Sequence, residues 1–350
     1  MAYNSPNVAV VILNWNGRRW LEHFLPSVLQ HSPQAEVIVA DNASSDDSVL
    51  FLREQFPQVR LIQLPENYGF CEGYNQALRH VTADYYVLLN SDVEVTPHWL
   101  TPLVSLLEEN LEIAACQPKI KSFQQRSHFE YAGAAGGFLD AYGYPFCRGR
   151  LFDTLEEDLG QYDDVRPVFW ATGACMLVRA TAYWQAAGLE PAFFAHMEEI
   201  DLCWRLQNLG YSIYYHGGST VYHVGGGTLP KANPRKTYLN FRNGAALLFK
   251  NLAQPELNKV LYTRLVLDGV AAVQYFLKGE WKQVQAIWDA HRHFFTARKY
   301  WKEKREAFPQ KKSTAQLQGW YPRSIVWQYF IKGKRTFRAL EVPDSATLPA

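Results

Sequence analysis

The chain has 350 residues, enough for one large domain or two of medium size. Hydrophobic residues make up 48% and charged residues 20%, which is typical of a globular protein with a substantial core. The net charge of +1 gives no reason to expect a polyanionic partner, and we predict no nucleic-acid binding. Charge is nevertheless uneven, because residues 291–350 hold 13 Lys and Arg against 4 Asp and Glu.

The cysteines and the N-terminal residues indicate the cellular compartment of the protein. Five cysteines are scattered along the chain without any CxxC spacing, so we expect free thiols in a reducing compartment and no structural zinc. The N-terminus has no basic region ahead of an apolar segment, and no uninterrupted run of about 18 apolar residues is present. The sequence therefore predicts a cytoplasmic protein without a signal peptide or a membrane-spanning helix.

Strand-like apolar runs alternate with helical patterns from residue 8 to residue 95. The predicted elements are strand 8–13, helix 18–29, strand 36–40, helix 49–56, strand 60–64, helix 73–80 and strand 85–89. Alternation at this spacing predicts a parallel sheet with right-handed crossovers. Residues that follow the strands should gather at one edge of the sheet, where ligands bind in open α/β folds.

The second half of the chain is less regular. Residues 121–167 are rich in Gly, Tyr and acidic residues, and a loop of this length is usually functional or mobile. A strand at 174–179 and a helix at 198–209 follow. Beyond residue 241 the pattern is helical and contains five tryptophans, which predicts a helical C-terminal region.

Polar residues follow the first two predicted strands. Asn14 and Asn16 come directly after strand one and can shape a pocket for a nucleotide, although an ordinary turn explains them equally well. Asp41 closes strand two, where a carboxylate can accept hydrogen bonds from a base N–H or a ribose hydroxyl. We favour a nucleotide-binding role for Asp41 over a capping role.

A glycine-containing segment precedes the third predicted helix. Asn67 and Asn75 flank two glycines, of which Gly69 is the first, and this composition lets the backbone approach a ligand closely. We treat Asn67, Gly69 and Asn75 as candidate donor-binding residues.

Asn90 and Asp92 follow the strand predicted at 85–89. Two residues apart on an extended backbone, their side chains point the same way. An amide and a carboxylate suit a divalent cation that prefers oxygen and can hold a diphosphate. His223, where a later strand runs into glycines 225–227, is a candidate partner for Asp92, although a lone His is more often structural.

Three acidic residues open the helix predicted at 198–209. Glu198, Glu199 and Asp201 follow an aromatic cluster and lie in the first helical turn, where the helix dipole favours negative charge. This arrangement suits a carboxylate base in a pocket, while a solvated helix face is the alternative. Arg242 belongs to a later basic and aromatic segment that suits a diphosphate or an anionic headgroup.

In this order and spacing, the motifs resemble those of inverting family 2 glycosyltransferases, and most of all a rhamnosyltransferase-like bacterial branch that builds surface polysaccharides such as O-antigen. The resemblance runs from about residue 8 to residue 243. It implies a GT-A fold, an α/β architecture with a Rossmann-like, mostly parallel sheet flanked by helices. The nucleotide-sugar-dependent catalytic domain would occupy residues 1–245, and a helical, basic and aromatic-rich region residues 246–350.

The resemblance also implies roles for individual residues. Asp41 matches the residue that binds the base, and Asn90 and Asp92 match a D-x-D element whose first acid is replaced. Glu199 matches the catalytic base, with Glu198 and Asp201 as stand-ins. The remaining matches are His223 as a metal ligand, Arg242 at the donor phosphates, and Trp170, Thr172 and Gly173 at the sugar and acceptor site.

The implied activity is transfer of a sugar, with dTDP-rhamnose as the favoured donor, from a nucleotide sugar to a glycan or a polyprenyl-linked glycan. Inversion at the anomeric carbon and a divalent cation, Mg²⁺ or Mn²⁺, belong to the same expectation. The alternative is a catalytically weak nucleotide-sugar-binding or scaffolding protein of this fold, which the replacements at Asn90 and Glu199 would favour. The basic, aromatic C-terminal region predicts peripheral contact with the inner face of the cytoplasmic membrane, with a packing or dimer role as the alternative.

Overall fold

The computed structural model of the protein describes residues 5–225 and 233–342. Its N-terminal half alternates strands and helices: β1 (Val8–Asn14), α1 (Arg18–His31), β2 (Glu36–Asp41), α2 (Ser48–Gln55), β3 (Arg60–Gln63), α3 (Gly69–Leu78), β4 (Tyr85–Asn90), β5 (Val93–Val95), α4 (Leu100–Glu109) and β6 (Ile113–Ser122). Each of the seven elements predicted before residue 90 is present, with ends shifted by at most four residues.

Short strands and then long helices make up the rest. The elements are β7 (Gly137–Asp140), β8 (Pro145–Cys147), β9 (Arg150–Leu151), β10 (Thr154–Leu155), β11 (Val165–Val168), β12 (Cys175–Arg179), α5 (Ala180–Gln185), α6 (Glu198–Asn208), β13 (Ser212–His223), α7 (Pro234–Asn251), α8 (Gln254–Leu277), α9 (Trp281–Thr296), α10 (Arg298–Glu306) and β14 (Trp320–Tyr321). Single turns of 3₁₀ or π helix lie at Pro191–Phe193, Thr314–Gln316, Trp327–Ile331 and Arg338–Leu340.

The larger of two sheets runs in the order β11-β13-β6-β12-β4-β1-β2-β3, with β5 paired to β13. Strands β1 to β4 are parallel, as the sequence predicts. β12 lies antiparallel between β4 and β6, so the whole sheet is mixed. This arrangement brings the last residues of β1, β2 and β4 to one edge.

Each face of this sheet supports its own hydrophobic core, because successive side chains on a strand point to opposite faces. Val8, Val10 and Ile12 of β1 belong to the core covered by α1, α2 and α4. Ala9 and Val11 belong to the other core, which α3, α6 and α7 cover together with C-terminal aromatic residues. The site described below opens at the carboxyl edge between these layers.

Residues 121–167 are ordered, which corrects the expectation of a long irregular loop. They form the end of β6 and most of a second, five-stranded sheet of order β10-β9-β8-β7-β14. Its strands have two to four residues, too few for an alternating pattern to be visible in the sequence. The five cysteines are free and buried, in agreement with the expectation of free thiols.

The C-terminal region is helical, as predicted, but it shares a hydrophobic core with the N-terminal strands. The predicted boundary after residue 245 falls inside α7, whose buried residues 245–249 belong to the same core as Val11. Within the described residues one helix, α8, is long and apolar enough to cross a membrane, with a mean hydropathy of 1.3 and 17% of the segment buried. In the sequence its apolar run is interrupted by Arg264 and Asp268.

Candidate active site

The ends of β1 and β2 place two polar residues side by side. Asn14 and Asp41 are register partners in the parallel pair, and Asn14 Nδ2 donates to Asp41 Oδ1 at 3.0 Å. The second oxygen of Asp41 accepts from the backbone N–H of Ser44 at 3.0 Å. Asn14 Oδ1 is buried without a partner, and a Cβ at Gly17 would lie 2.4 Å from it. A side chain at position 17 would therefore collide with this acceptor, and glycine avoids the collision.

Asn16 joins the loops after β1 and β2. Its backbone has a positive φ of 52°, and its Oδ1 accepts from the N–H groups of Ser45 at 2.7 Å and Asp46 at 3.2 Å. These bonds tie the loop after β1 to the loop after β2. The structure thus gives Asn16 a scaffolding contact beside Asp41.

The segment before α3 is tied both to β2 and to the loop before α6. Asn67 Oδ1 accepts from Asn42 Nδ2 at 3.0 Å and from the N–H of Gly69 at 2.9 Å. Gly69 has a φ of +72°, and a Cβ there would approach the Phe194 ring to 2.6 Å. Glycine is therefore required at 69 for the two loops to meet.

Asn75 lies apart from this edge, within the protein. Its Oδ1 accepts from Tyr183 Oη at 2.8 Å and from the N–H of Leu189 at 3.0 Å, and its Nδ2 donates to Leu189 O at 2.8 Å. With both ends of the amide engaged, Asn75 fixes α3 against the segment that leads to α6. The geometry argues against a direct donor contact for this residue.

The side chains of Asn90 and Asp92 both contact one imidazole nitrogen of His223. His223 Nε2 lies 3.1 Å from Asp92 Oδ1 and 3.4 Å from Asn90 Nδ2. The pairing of β13 with β5 brings His223 to this position, opposite Val93. Glycines 226 and 227 of the same motif lie outside the described residues, whereas Gly225 is described and has a φ of +69°.

Glu130 completes this group, and nothing in the sequence pattern singles it out. Its Oε2 lies 3.2 Å from His223 Nδ1, so the imidazole sits between two buried carboxylates. Burial alone would lower the pKa of His223, but hydrogen bonds to Asp92 and Glu130 raise it to about 10. Burial would raise the pKa values of Asp92 and Glu130, and the same contacts with His223 lower them instead.

A strained loop leads into α6. Phe194, His196 and Met197 all have positive φ values, between 64° and 71°, which is uncommon for residues other than glycine. The Asn243 side chain holds this loop, because its Nδ2 lies within 3.0 Å of the carbonyl oxygens of Phe193, Ala195 and His196. Strain of this kind persists only where surrounding contacts enforce it, and it concentrates at functional sites.

Glu198 and Glu199 begin α6 directly after that loop. Each has one buried carboxylate oxygen, Oε2, without a hydrogen-bond partner. Burial raises the pKa of Glu199 to about 7. Burial, together with the neighbouring Glu199, raises the pKa of Glu198 well above its usual range. A carboxyl group with a pKa near neutrality is suited to accept a proton at physiological pH.

Asp201, the third acidic residue of the turn, accepts hydrogen bonds from three side chains. Lys250 Nζ donates to it at 2.8 Å, Arg205 Nε at 2.9 Å and Asn251 Nδ2 at 2.7 Å. Burial alone would raise the pKa of Asp201, but Arg205 and Lys250 lower it to about 2. So low a pKa makes a poor base, and the geometry therefore favours Glu199 over Asp201.

The segment before β12 lies between the Glu198–Glu199 pair and the strand that ends at Asn90. A Cβ at Gly173 would lie 3.9 Å from Glu198 Oε1, and the carbonyl of the next residue, Ala174, accepts from the N–H of Asn90 at 3.0 Å. Thr172 and Trp170 are buried behind it, where Trp170 Nε1 donates to a backbone carbonyl. Of this predicted group, Gly173 is thus the one for which a close approach to Glu198 is shown.

Arg242 contacts the α6 loop. Its Nη2 donates to the carbonyl oxygens of Ala192 at 2.6 Å and Phe193 at 3.2 Å. It also lines a cavity of about 370 Å³, whose other lining residues are Ala192, His293, Thr296, Ala297, Tyr300 and Trp301. These contacts position the loop, and a phosphate contact for Arg242 remains a prediction.

The residues present fit a divalent cation only in part. Asp92 Oδ1 and His223 Nε2 converge and are suitable ligands, while Glu130 orients the imidazole from its other nitrogen, as carboxylates do behind metal-binding histidines. No group of three or more His, Cys, Asp or Glu able to hold an ion was found in the described ranges. Further ligands would have to come from a bound diphosphate or water.

Comparison with known proteins places the chain in a family. The model of glycosyl transferase family 2 matches residues 9–185, just over half of the chain. The chain belongs to this family. The match ends before α6, so the pair of glutamates lies beyond it.

Among relatives of similar sequence is the N-acetylglucosaminyl-diphospho-decaprenol L-rhamnosyltransferase of Mycobacterium tuberculosis. It is 26% identical over 230 residues, which cover 61% of this chain and 75% of the relative. This similarity confirms the predicted likeness to the rhamnosyltransferase branch. The family match and this relative identify the protein as a glycosyltransferase.

Solved structures confirm the GT-A fold. GalNAc-T7 with UDP, GalNAc and Mn²⁺ superposes with a TM-score of 0.58 at 13% identity, over 89% of this chain and 59% of that one. The mannosyltransferase PcManGT of Pyrobaculum calidifontis with GDP-Man and Mn²⁺ gives 0.52 at 14% identity, over 88% and 86%. Both of those proteins carry Mn²⁺.

Proposed function

We propose that this glycosyltransferase transfers a sugar from a nucleoside diphosphate donor to a glycan or lipid-linked glycan, with inversion at the anomeric carbon. The observation that supports the proposal is the Glu198–Glu199 pair: each carboxylate has one buried oxygen without a hydrogen-bond partner, both pKa values are raised, and Glu198 lies close to Gly173. Asn14 and Asp41 would bind the nucleoside, and Asp92 and His223 would face the diphosphate.

In this reaction Glu199 accepts the proton of an acceptor hydroxyl. The oxygen attacks the anomeric carbon, the bond to the diphosphate breaks, and the nucleoside diphosphate leaves with the bonding electrons. A single displacement of this kind inverts the carbon. Mg²⁺ or Mn²⁺ held by Asp92 and His223 would offset charge on the leaving diphosphate.

We infer dTDP-rhamnose as the donor and a polyprenyl-diphosphate-linked sugar as the acceptor. The support is the name of the mycobacterial relative, a rhamnosyltransferase that acts on a decaprenol-linked sugar. Such acceptors reside at the cytoplasmic face of a membrane, so we also propose peripheral association there. The second candidate function, binding without transfer, rests on the amide at position 90 in place of a carboxylate.

A panel of nucleotide sugars tests the proposal. The purified protein is incubated with dTDP-rhamnose, UDP-hexoses or GDP-mannose, a polyprenyl-diphosphate-linked N-acetylglucosamine and Mn²⁺, and the released nucleoside diphosphate is measured. We expect release with dTDP-rhamnose that depends on the acceptor. A preference for UDP-hexoses would overturn the donor assignment, and donor binding without release from any sugar would favour the second function.

A further inference from the structure

Helix α8 has its charged residues inside and its apolar residues outside. Arg264 and Asp268 are buried and paired, with Arg264 Nε donating to Asp268 Oδ1 at 2.8 Å. The guanidinium lies 3.8 Å from the Tyr144 ring centroid, and His291 of α9 lies 3.2 Å from the other oxygen of Asp268. These contacts fix which face of α8 is turned away from the protein.

The outward face of α8 is an uncharged apolar stripe. Its large residues are 54–77% exposed and recur at spacings of four, four, three and four, which keeps them on one side of a helix: Tyr262, Val266, Val270, Val273 and Leu277. Gly269 lies among them with open space around it. The stripe extends over about 22 Å at 1.5 Å per residue and is bounded by the exposed Lys259 and Lys278.

Helix α9 continues this surface. Trp281 and Trp288 are 62% and 72% exposed, and Phe295 follows at the same seven-residue spacing. The Phe276 ring lies 4.6 Å from the Trp281 ring, so the stripe passes from one helix to the next at the α8–α9 turn. We call the stripe together with these two tryptophans the α8–α9 face.

The charge around the α8–α9 turn distinguishes between two partners for this face, a second copy of the chain and a lipid surface. Between residues 276 and 292 the basic side chains are Lys278, Lys282 and Arg292 and the acidic ones are Glu280 and the partly exposed Asp289, which pairs with Arg292 at 3.2 Å. The turn therefore keeps a small basic excess, carried by Lys278 and Lys282. In a twofold dimer the same patch meets itself, which would bring these cations together. An anionic lipid surface instead attracts basic residues next to an apolar face, and exposed tryptophans suit its boundary with water.

We propose that the α8–α9 face docks on an anionic lipid bilayer, with the apolar stripe in the headgroup and acyl boundary. This deepens and rests on the proposed function, because a polyprenyl-linked acceptor lies in the same bilayer. The contact surface is then the α8–α9 face itself, and the basic residues beyond 291 add long-range attraction to the membrane.

Vesicle co-sedimentation of the full chain tests the proposal. The wild type, Leu277→Glu and Val266→Glu are mixed with phosphatidylglycerol–phosphatidylcholine vesicles and with phosphatidylcholine vesicles. The matched control is Leu159→Glu, since Leu159 is 78% exposed in the loop between β10 and β11. The substituted side chains are exposed, so folding should survive, which circular dichroism checks.

We expect the wild type and Leu159→Glu to sediment with anionic vesicles, and both variants of the α8–α9 face to lose about tenfold or more in partition coefficient. Equal partitioning of Leu277→Glu and wild type, or a wild type that stays in the supernatant, would overturn the proposal. A lipid-free dimer that Leu277→Glu converts to a monomer would assign the face to a second copy.

Sugar transfer is measured in parallel with a water-soluble alkyl glycoside acceptor. Vesicle binding requires no transfer. A protein that is inactive but still binds vesicles through this face would therefore contradict the proposed function and not the membrane proposal. A protein that is active but whose vesicle binding does not respond to the substitutions would contradict membrane binding by the α8–α9 face and not the proposed function.

Discussion

At the scale of single residues, the proposed chemistry depends on two carboxylates that share a buried site. Glu198 and Glu199 are adjacent, poorly solvated and without partners at one oxygen each. Burial disfavours the charged form of a carboxyl group, which raises the pKa. The neighbouring Asp201 shows the opposite outcome although it is fully buried, because two cations neutralise it. One helical turn therefore contains both a structural acid, Asp201, and a candidate base, Glu199.

We predict that Glu199→Gln retains donor binding and loses roughly 10²–10⁴-fold in turnover, the usual contribution of a positioned general base. In the wild type the base must be deprotonated, so turnover should rise with pH through about 7 and level off above it. Steady-state kinetics between pH 5 and 9 and calorimetry with a nucleoside diphosphate measure both effects.

Glu198→Gln is the matched comparison for this prediction. It removes the adjacent carboxylate but leaves the proposed base in place, so the pH-dependent rise should persist. Full turnover in correctly folded Glu199→Gln would exclude Glu199 from the mechanism.

Glu130 should affect cation binding through His223. Carboxylates behind metal-binding histidines typically contribute 10–100-fold to affinity. We therefore predict that Glu130→Gln weakens Mn²⁺ binding by about that factor, measured by electron paramagnetic resonance in the presence of a nucleoside diphosphate. Glu36→Gln, at the exposed start of β2, is the control. Unchanged Mn²⁺ affinity would leave Glu130 with a structural contact to His223 only.

At the scale of elements, the loop before α6 determines where the carboxylates lie. Its three positive φ values are held by Asn243, and Arg242 reaches the carbonyl groups at its start. Both side chains come from α7, so a helix outside the region matched by the family model positions the proposed base.

We predict that Asn243→Ala lowers kcat by about 10²-fold with a smaller change in KM, because small misplacements of a catalytic group are costly. Release of the loop should also admit water to Glu199 and shift the rise in the pH profile below 7. A loss of stability alone would not move that midpoint. The exposed Asn258→Ala is the control, and an unchanged pH midpoint would contradict a positioning role.

The sequence predicts the N-terminal elements well because each has enough residues to show its own periodicity. β1 and β4 read as apolar runs followed by Asn14 and Asn90, and their ends mark the site. The small sheet is not predictable in this way, since β9 and β10 have only two residues each and β7 pairs with β14, which lies near the other end of the chain. Their place in the fold follows from tertiary contacts.

The same limit applies to the site. Glu130 contacts a histidine 93 positions away, and Asn243 contacts carbonyl groups about 50 positions away. No local pattern signals either contact. Asp41, Asp92 and Glu199 can be found from sequence because they end a strand, follow one or begin a helix. The choice of Glu199 among the three acids of its turn rests on the family resemblance.

At the scale of the whole molecule, a buried ionic network joins the catalytic helix to the C-terminal region. Lys250 of α7 bonds both Asp201 of α6, at 2.8 Å, and Glu190, at 2.9 Å. Removing one partner of a buried ion pair leaves an uncompensated charge and costs about 3–5 kcal/mol. We predict that Lys250→Ala lowers the free energy of unfolding by about this amount, measured by urea denaturation.

Lys302→Ala is the control for that measurement. Lys302 and Glu306 form an exposed pair at 3.7 Å, and such pairs contribute at most about 1 kcal/mol. Equal losses in the two variants would mean that the Lys250 network is solvated and does not join the catalytic helix to the C-terminal region.

The C-terminal region completes the main core, and this decides how membrane binding can be tested. Trp301, Tyr321 and Leu340 belong to the same hydrophobic core as Val11 of the first strand. We therefore predict that a chain ending at residue 290 unfolds at a lower temperature than the full chain and exposes apolar surface, detected by calorimetry and dye binding. A chain ending at residue 342 keeps these contacts and is the control. If the shorter chain is as stable as the control, the C-terminal residues are a separate unit. If it is destabilised, its altered binding to vesicles would reflect unfolding, and substitutions on the exposed face of α8 are the sound test of membrane association.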